Sequence, residues 1–195
     1  MTANLINTIL SLIELDENGV SELKAISQIR RFSSGEHWIR EGQVPRSFGF
    51  VEKGLFRIYY ADAEGNEVTK GFFQEGSFPT AYTALQTGSP SFFSIQALEG
   101  AQLVTIDYAR WLEMYRADPV WKDFLIVMLT KGYMKKEKRE RELLQLSAAE
   151  RYRGFLTEYP GLESRIKQHF IASYLGITPV ALSRIRKKMR CINLG

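Results

Sequence analysis

The sequence predicts an α+β fold in which a front half rich in β structure is followed by helices. Short runs rich in Val, Ile, Phe and Tyr recur between residues 48 and 107, and glycine-containing turns separate them. After residue 108 the apolar residues follow three- and four-residue steps, which indicate helices. Residues 168–187 have the pattern of two short helices joined by a tight turn.

The front half begins with a predicted helix, because one face would carry Leu5, Ile6, Ile9, Leu10 and Ile13. The β runs that follow recur at a spacing of about 8–12 residues, which is typical of a sandwich, jelly roll or barrel. These runs are Phe48–Val51, Leu55–Tyr60, Val68–Phe73, Phe92–Leu98 and Gln102–Asp107.

A short helix is predicted over residues 108–117, and a long one from about residue 119 to 146, with Asp118 as its cap. Phe124, Val127 and Met128 form an apolar stripe on the long helix. This stripe is a candidate dimer interface, or else it packs on the chain's own β domain. The interleaved charges of residues 135–142 predict a solvated face with i,i+4 pairs.

A new helix is predicted after this point, because Ser147-Ala148-Ala149-Glu150 has the pattern of a capping box. Tyr159-Pro160-Gly161 would end that helix. We therefore expect a domain boundary near Leu146 and three segments: 1–117 as effector or sensor domain, 118–146 as dimerisation helix and 147–195 as DNA-binding domain.

The C-terminal helix pair predicts a DNA-binding helix-turn-helix. Gly176 suits the sharp turn, Thr178 can cap the second helix, and Pro179 fits its first position. The apolar positions of the small core are Ile171, Leu175, Ile177, Leu182 and Ile185. The second helix is strongly basic and would enter the major groove. The alternative is an ordinary pair of helices with a solvated basic face.

Composition fits a sensor joined to a nucleic-acid module. Residues 131–195 hold 15 Lys and Arg against 6 Asp and Glu, whereas residues 1–130 hold 11 against 16, which gives the overall charge of +4. The single cysteine, Cys191, excludes a disulfide framework and suits a reducing cytoplasm. We expect no signal peptide and no membrane span, since no stretch approaches roughly 18–20 apolar residues.

The order of elements and three residue patterns resemble the catabolite-activator and fumarate-nitrate regulator (Crp/Fnr) family of bacterial transcription factors. The most specific pattern is Ile-Ala-Ser-Tyr-Leu-Gly-Ile-Thr at residues 171–178, followed by Leu-Ser-Arg-Ile-Arg at 182–186. Arg40-Glu41-Gly42, Phe50 to Gly54 and residues 75–78 match the glycine framework of the family's effector domain. The resemblance implies a cyclic-nucleotide-binding-like jelly roll and a homodimer joined by the long helix. It also implies a symmetric double-stranded DNA operator, with RNA polymerase as a candidate partner.

Cyclic nucleotides are not expected as effectors or cofactors. Ala81 replaces the family's ribose-binding glutamate, and Ser91 and Phe92 replace its phosphate-binding arginine and hydroxyl residue. No Lys or Arg lies between Gly76 and Leu98 to balance a phosphate. The candidate effector pocket is instead Ser77, Phe78, Ala81, Tyr82, Ser91, Phe92 and Phe93. The alternative is that these aromatic residues only fill the core.

Metal-centred sensing lacks support from the sequence. An iron–sulfur cluster needs several cysteines, and a haem would have only His37 and His169 as histidine ligands.

The residues expected to contact DNA are Thr178, Val180, Ala181, Ser183, Arg184, Arg186, Lys187 and Lys188. Arg184 keeps a base-reading position of the family and can contact guanine in bidentate fashion. Arg186, Lys187 and Lys188 are expected at phosphates, which add affinity but no sequence information. Pro179 and Val180 replace two family base readers, so we expect a different operator. The family's β wing after Met189 is expected to be short or missing.

The sequence therefore favours a dimeric, sequence-specific transcription regulator. An effector-binding sensor module with a weak or vestigial DNA-binding role is the alternative. An enzyme is not expected, because the chain has no P-loop, no zinc-ligand spacing and no nucleophile motif.

Overall fold

The computed structural model describes residues 3–192, without the side chains of residues 190–192. The helices are α1 (Ala3–Leu10), α2 (Glu17–Ala25), α3 (Tyr82–Thr87), α4 (Tyr108–Ala117), α5 (Val120–Gln145), α6 (Ala148–Glu158), α7 (Gln168–Leu175) and α8 (Pro179–Ile192), with a short 3₁₀ turn at Leu162–Ser164. The strands are β1 (Ser27–Phe32), β2 (His37–Ile39), β3 (Ser47–Lys53), β4 (Phe56–Ala61), β5 (Glu67–Phe73), β6 (Ser94–Ala97) and β7 (Ala101–Asp107). The side chain of Cys191 and the segment after Ile192, where the wing was expected to be short or missing, lie outside the described residues.

The strands form two sheets, with the orders β1-β7-β3 and β2-β6-β4-β5. Val51 and Leu103 from the first sheet share one buried cluster with Phe56 and Ile95 from the second. Because successive side chains of a strand point to opposite faces, Phe50 and Val104 face the other way. They belong to a second cluster, which contains side chains of α1, α2, α4 and α5. The first sheet thus packs on the second sheet through one face, as in the predicted sandwich or jelly roll, and on helices through the other.

The predicted elements are largely confirmed. All five predicted strands are present, and α4 and α5 match the predicted helices at 108–117 and 119–146 within a residue. Asp118 Oδ1 accepts a hydrogen bond from the N–H of Val120 at 2.9 Å. Ser147 and Glu150 form the predicted capping box.

Four elements were not predicted from the sequence: α2, α3, β1 and β2. Residues 28–31 of β1 are all exposed, so the strand lacks the apolar alternation that predicts strands. β2 has only three residues. Helix α2 does have a sequence signal, since Asp16 Oδ1 accepts from the N–H of Gly19 at 2.7 Å in the manner of an N-cap.

The chain divides into two compact units that differ from the predicted segments. The first contains residues 1–60 and 71–131, and the second contains residues 61–70 and 132–195. The division between these units lies inside α5, whereas the sequence predicted a domain boundary near Leu146, and the tip of the β4–β5 hairpin joins the second unit. Within residues 3–192, no helix is both long and apolar enough to cross a bilayer.

The tip of the β4–β5 hairpin is held by its own hydrogen bonds and by a serine of α7. Asp62 Oδ1 accepts from the N–H of Asn66 at 2.7 Å. Ser173 Oγ accepts from the N–H of Thr69 at 2.9 Å and donates to the carbonyl of Glu67 at 3.1 Å. One hydroxyl thus satisfies two backbone groups of β5, which explains why the tip belongs to the second unit.

We expect Gly54→Ala to destabilise the protein more than Gly42→Ala. Both glycines have positive φ, at +91° and +82°, so each alanine costs roughly 1–2 kcal/mol of strain. A Cβ on Gly54 would also lie 2.7 Å from the Cβ of Ala101, whereas a Cβ on Gly42 would have no neighbouring atom within 4 Å. The clash adds ~1–3 kcal/mol. If urea denaturation shows the same loss of stability for both variants, this explanation is contradicted.

Candidate nucleic-acid interface

Helix α8 presents most of the predicted DNA-binding side chains on one exposed face. Val180, Arg184 and Lys187 follow steps of four and three residues, so they share a stripe. All three are exposed, as are Ser183 and Lys188 at the borders of the stripe. Val180 is 60% exposed and places an apolar side chain among these polar ones. This face joins positive charge to one apolar contact point.

The turn before α8 has the geometry that its sequence predicts. Gly176 adopts the left-handed conformation at φ 66° and ψ 36°, and the N–H of Ile177 donates to the carbonyl of Ala172 at 3.0 Å. Thr178 Oγ1 accepts from the N–H of Ala181 at 3.2 Å and so caps α8. Leu182 is fully buried beneath the turn. α7 and α8 therefore form one packed pair.

Arg186 differs from the other predicted phosphate contacts. Its Nη2 lies 2.5 Å from Glu163 Oε1, and its side chain is only 18% exposed. The same carboxylate oxygen accepts from the hydroxyl of Tyr152 at 2.7 Å. Arg186 therefore stabilises the packing of α8 on the 3₁₀ turn.

The predicted effector-pocket residues do not form one lining. Phe78 packs against Phe50 and Phe124, with ring centroids 5.0 and 5.5 Å away, in the cluster that contains the helices. Ala81 and Phe93 belong to the cluster between the sheets. Phe92 is 70% exposed. These positions favour the interpretation in which the aromatic residues mainly fill the core.

The remaining members of the predicted pocket also have local roles or partial burial. The hydroxyl of Ser91 donates to the carbonyl of Phe93 at 2.8 Å, and the N–H of Ser77 donates to the carbonyl of Gln74 at 3.1 Å. Tyr82 is half-buried at the start of α3.

A buried arginine that the sequence analysis did not single out lies on β4. Arg57 is 1% exposed, donates to Gln96 Oε1 at 2.9 Å and lies 4.0 Å above the ring of Tyr59. Phe56 and Ile58 face the cluster between the sheets, so strand alternation places Arg57 on the opposite face. Arg57 therefore does not supply a phosphate partner beside Ala81.

Two of the three residues of the predicted dimer stripe pack within their own unit, as the alternative interpretation held. Phe124 is only 3% exposed and lies inside its own domain, and Met128 packs against the same cluster, while Val127 is half-buried. The large apolar residues exposed on α5 include Met134, Leu143 and Leu144 towards its end and, nearer its start, Ile126, Leu129 and Tyr133, the last three at 61%, 41% and 68% exposure. The steps of three and four residues between these last three place them on one face.

The charged end of α5 is not simply a solvated face. Lys138 does pair with Glu142, at 3.7 Å, as an i,i+4 pair. However, Lys138 and Lys135 also reach Glu158 of α6, at 2.9 and 3.2 Å. The ammonium group of Lys135 lies 4.6 Å from the ring centroid of Tyr159. Sequence patterns within α5 carry no sign of these contacts.

The surroundings of Glu158 shift its pKa in opposite directions. Burial raises the pKa of Glu158, but the hydrogen bond from Lys138 and the charge of Lys135 outweigh burial, so its pKa lies below the usual 4.5. The hydrogen bond to Glu158 likewise raises the pKa of Lys138. The carboxylate is therefore ionised in the folded protein near neutral pH.

Comparisons with known proteins agree with this architecture. A family model for the cyclic nucleotide-binding domain matches residues 29–118. The solved structure of FixK2 from Bradyrhizobium japonicum is similar, with 17% identity, a TM-score of 0.77 and 86% of each chain covered. The c-di-GMP-responsive global regulator CLP from Xanthomonas campestris has 19% identity and a TM-score of 0.72, over 92% of this chain and 94% of that one. The Thermus thermophilus catabolite activator protein has 17% identity and a TM-score of 0.54, over 95% and 88%. No curated protein sequence matches the chain significantly.

We expect Glu158→Gln to lower stability at neutral pH but not in acid. Since the folded pKa lies below the unfolded one, the ionised carboxylate stabilises the fold above about pH 4.5, and this contribution is lost as pH falls through the folded pKa. The loss at neutral pH is about 1 kcal/mol, because both lysines are nearly half exposed. Urea denaturation at neutral pH and at pH values below about 4.5 measures this loss of stability. Glu140→Gln, at an exposed position of α5, is the control. A difference from wild type that stays constant with pH would contradict the assignment.

Proposed function

We propose that this chain, whose residues 29–118 match a cyclic nucleotide-binding domain and whose fold is similar to that of Crp/Fnr regulators, is a sequence-specific, dimeric transcription regulator that binds double-stranded DNA. The observation that carries this proposal is the exposed basic face of α8 behind a capped turn. Similar proteins are named as a global regulator and as an activator. A regulator of this kind acts in the bacterial cytoplasm, with RNA polymerase as a candidate partner.

Helix α8 would act as the recognition helix of a helix-turn-helix. Arg184 is exposed on its outer face and has the five-donor fork that suits guanine O6 and N7. Val180 and Ala181 would pack on thymine methyl groups, and Thr178 and Ser183 would contact a base or a phosphate. Lys187 and Lys188 would contact phosphates, since a flexible ammonium group carries charge without base discrimination. Arg186 would contribute through its pair with Glu163.

The effector of the β domain would not be cAMP or cGMP. Ala81 is buried among apolar side chains, and the hydroxyl of Ser91 is already bonded to its own loop. An uncompensated cyclic phosphate there would lose its hydration without a cation in return. We propose that any effector is a small molecule of a different class.

Selection of binding sites from a random duplex pool, with and without cAMP, tests the function. We expect a two-fold symmetric site with half-sites about one helical turn apart, recovered equally in both arms. Recovery only with cAMP would overturn the effector proposal. Recovery of no sequence in either arm would favour the sensor module with a vestigial DNA-binding role.

Substitutions of Arg184 and Lys188 by alanine should weaken DNA binding in different ways. We expect Arg184→Ala to weaken binding to the selected site by about 1–3 kcal/mol and to relax one base position. Lys188→Ala should weaken binding to selected and random duplexes alike and reduce the salt slope by about one unit. Titrations over a range of salt concentrations measure both. Equal losses of Arg184→Ala on selected and random DNA would refute base reading.

Dimerisation should depend on the exposed stripe of α5. We expect Ile126→Glu to give monomers by light scattering, because a buried carboxylate without a partner opposes association. Lys131→Glu, on the other side of the same helix, is the control and should stay dimeric. A dimeric Ile126→Glu variant would place the interface elsewhere.

A further inference from the structure

The C-terminus of α7 is held by arginines from two other helices. The last carbonyl groups of a helix lack partners within it, and cations are favoured at this end. The guanidinium of Arg139, on α5, donates to the carbonyl of Tyr174 and lies 3.7 Å from the centroid of that residue's ring. The Nε of Arg151, on α6, donates to the next carbonyl, that of Leu175, at 3.0 Å. Each arginine thus holds one carbonyl just before the turn.

The same two arginines tie this turn to the end of α5. Arg151 also donates from Nη1 to the carbonyl of Leu146, at 2.6 Å, one residue beyond α5. A Cβ placed on Gly176 would lie 3.6 Å from Cδ2 of Leu143, so α5 passes directly beside the turn. Three elements therefore converge on the residues that precede α8. The direction in which α8 leaves the turn is set there.

We propose that Arg139 and Arg151 are positioning residues that fix α8 against the C-terminal half of α5, and thereby set the half-site spacing that the dimer accepts. The inference rests on the proposed function. In a dimer joined along α5, the distance between the two recognition helices depends on how each is attached to that helix. A symmetric operator rewards one such distance, because both helices must enter the major groove on the same side of the duplex.

The chemistry of the contacts suits this role. A guanidinium is planar and donates in fixed directions, so it constrains angles that an ammonium group leaves free. Arg139 combines a charge-assisted hydrogen bond with stacking on Tyr174, a residue that is only 3% exposed. Its partner ring also packs edge-to-face against Tyr159, at 5.9 Å. The attachment point is therefore part of a buried aromatic cluster and not a surface pair.

The experiment measures spacing preference separately from half-site affinity. The selected half-site is placed as an inverted repeat in a series of duplexes whose spacers differ by single base pairs, and as a single copy. Full-length wild-type protein, Arg139→Met, Arg139→Lys and Arg151→Met are titrated against each duplex. Arg141→Met is the matched control, since it removes the same charge from an exposed position of the same helix.

We expect wild type to prefer one spacer, and Arg139→Met to lose about tenfold of that preference, the equivalent of one charge-assisted hydrogen bond. Its affinity for the single half-site should stay unchanged, and Arg139→Lys should recover part of the preference. Arg151→Met should broaden the profile in the same way. If circular dichroism shows that Arg139→Met is unfolded, the spacing profiles of Arg139→Lys and Arg151→Met are compared with wild type instead.

Two outcomes would overturn the inference alone. In one, the variants keep the wild-type spacing profile. In the other, they weaken the half-site and every spacer equally, as a purely structural role would. Failure of the proposed function has a different signature, because wild type itself would then bind no selected duplex.

Discussion

The carbonyl groups at the end of α7 impose the constraint on which the C-terminal unit depends. They cannot be paired within their own helix, and the chain turns sharply immediately after them. Gly176 makes the turn possible, and Arg139 and Arg151 satisfy the carbonyls of Tyr174 and Leu175. Because these arginines come from α5 and α6, one requirement for hydrogen bonds brings these two helices together with α7. The basic face of α8 is presented by that assembly.

The sequence predicted features that depend on neighbouring residues. The capping box at Ser147, the left-handed Gly176 and the cap at Thr178 follow from spacings of three or four residues, and all three are present. Helices α4 and α5 were found because their periodicity and caps agree. Strand β1 was missed because most of its residues are polar and exposed, and local composition does not reveal its pairing with β7.

The residues of the candidate site, like the elements of the fold, were predictable only where they depend on nearby positions in the sequence. The exposed stripe of α8 follows from helical periodicity, whereas the pairing of Arg186 with Glu163 depends on a contact across 23 residues. For the same reason the sequence left open whether Phe124 lies on a dimer interface or in its own core, where it packs beside Trp121. Periodicity identifies an apolar face but not what covers it. Charge patterns have the same limit, since Lys135 and Lys138 find Glu158 on another helix.

The hydroxyl of Ser173 has a consequence for how such a chain can be rearranged in evolution. It binds a hairpin that precedes it by about a hundred residues, and that hairpin lies within the same compact unit as the C-terminal helices. The unit is therefore discontinuous in sequence, and no single crossover inherits it whole. A recombinant that joined residues 132–195 to a foreign sensor would leave the partners of Ser173 behind, unless that sensor supplied a hairpin of the same length and backbone register.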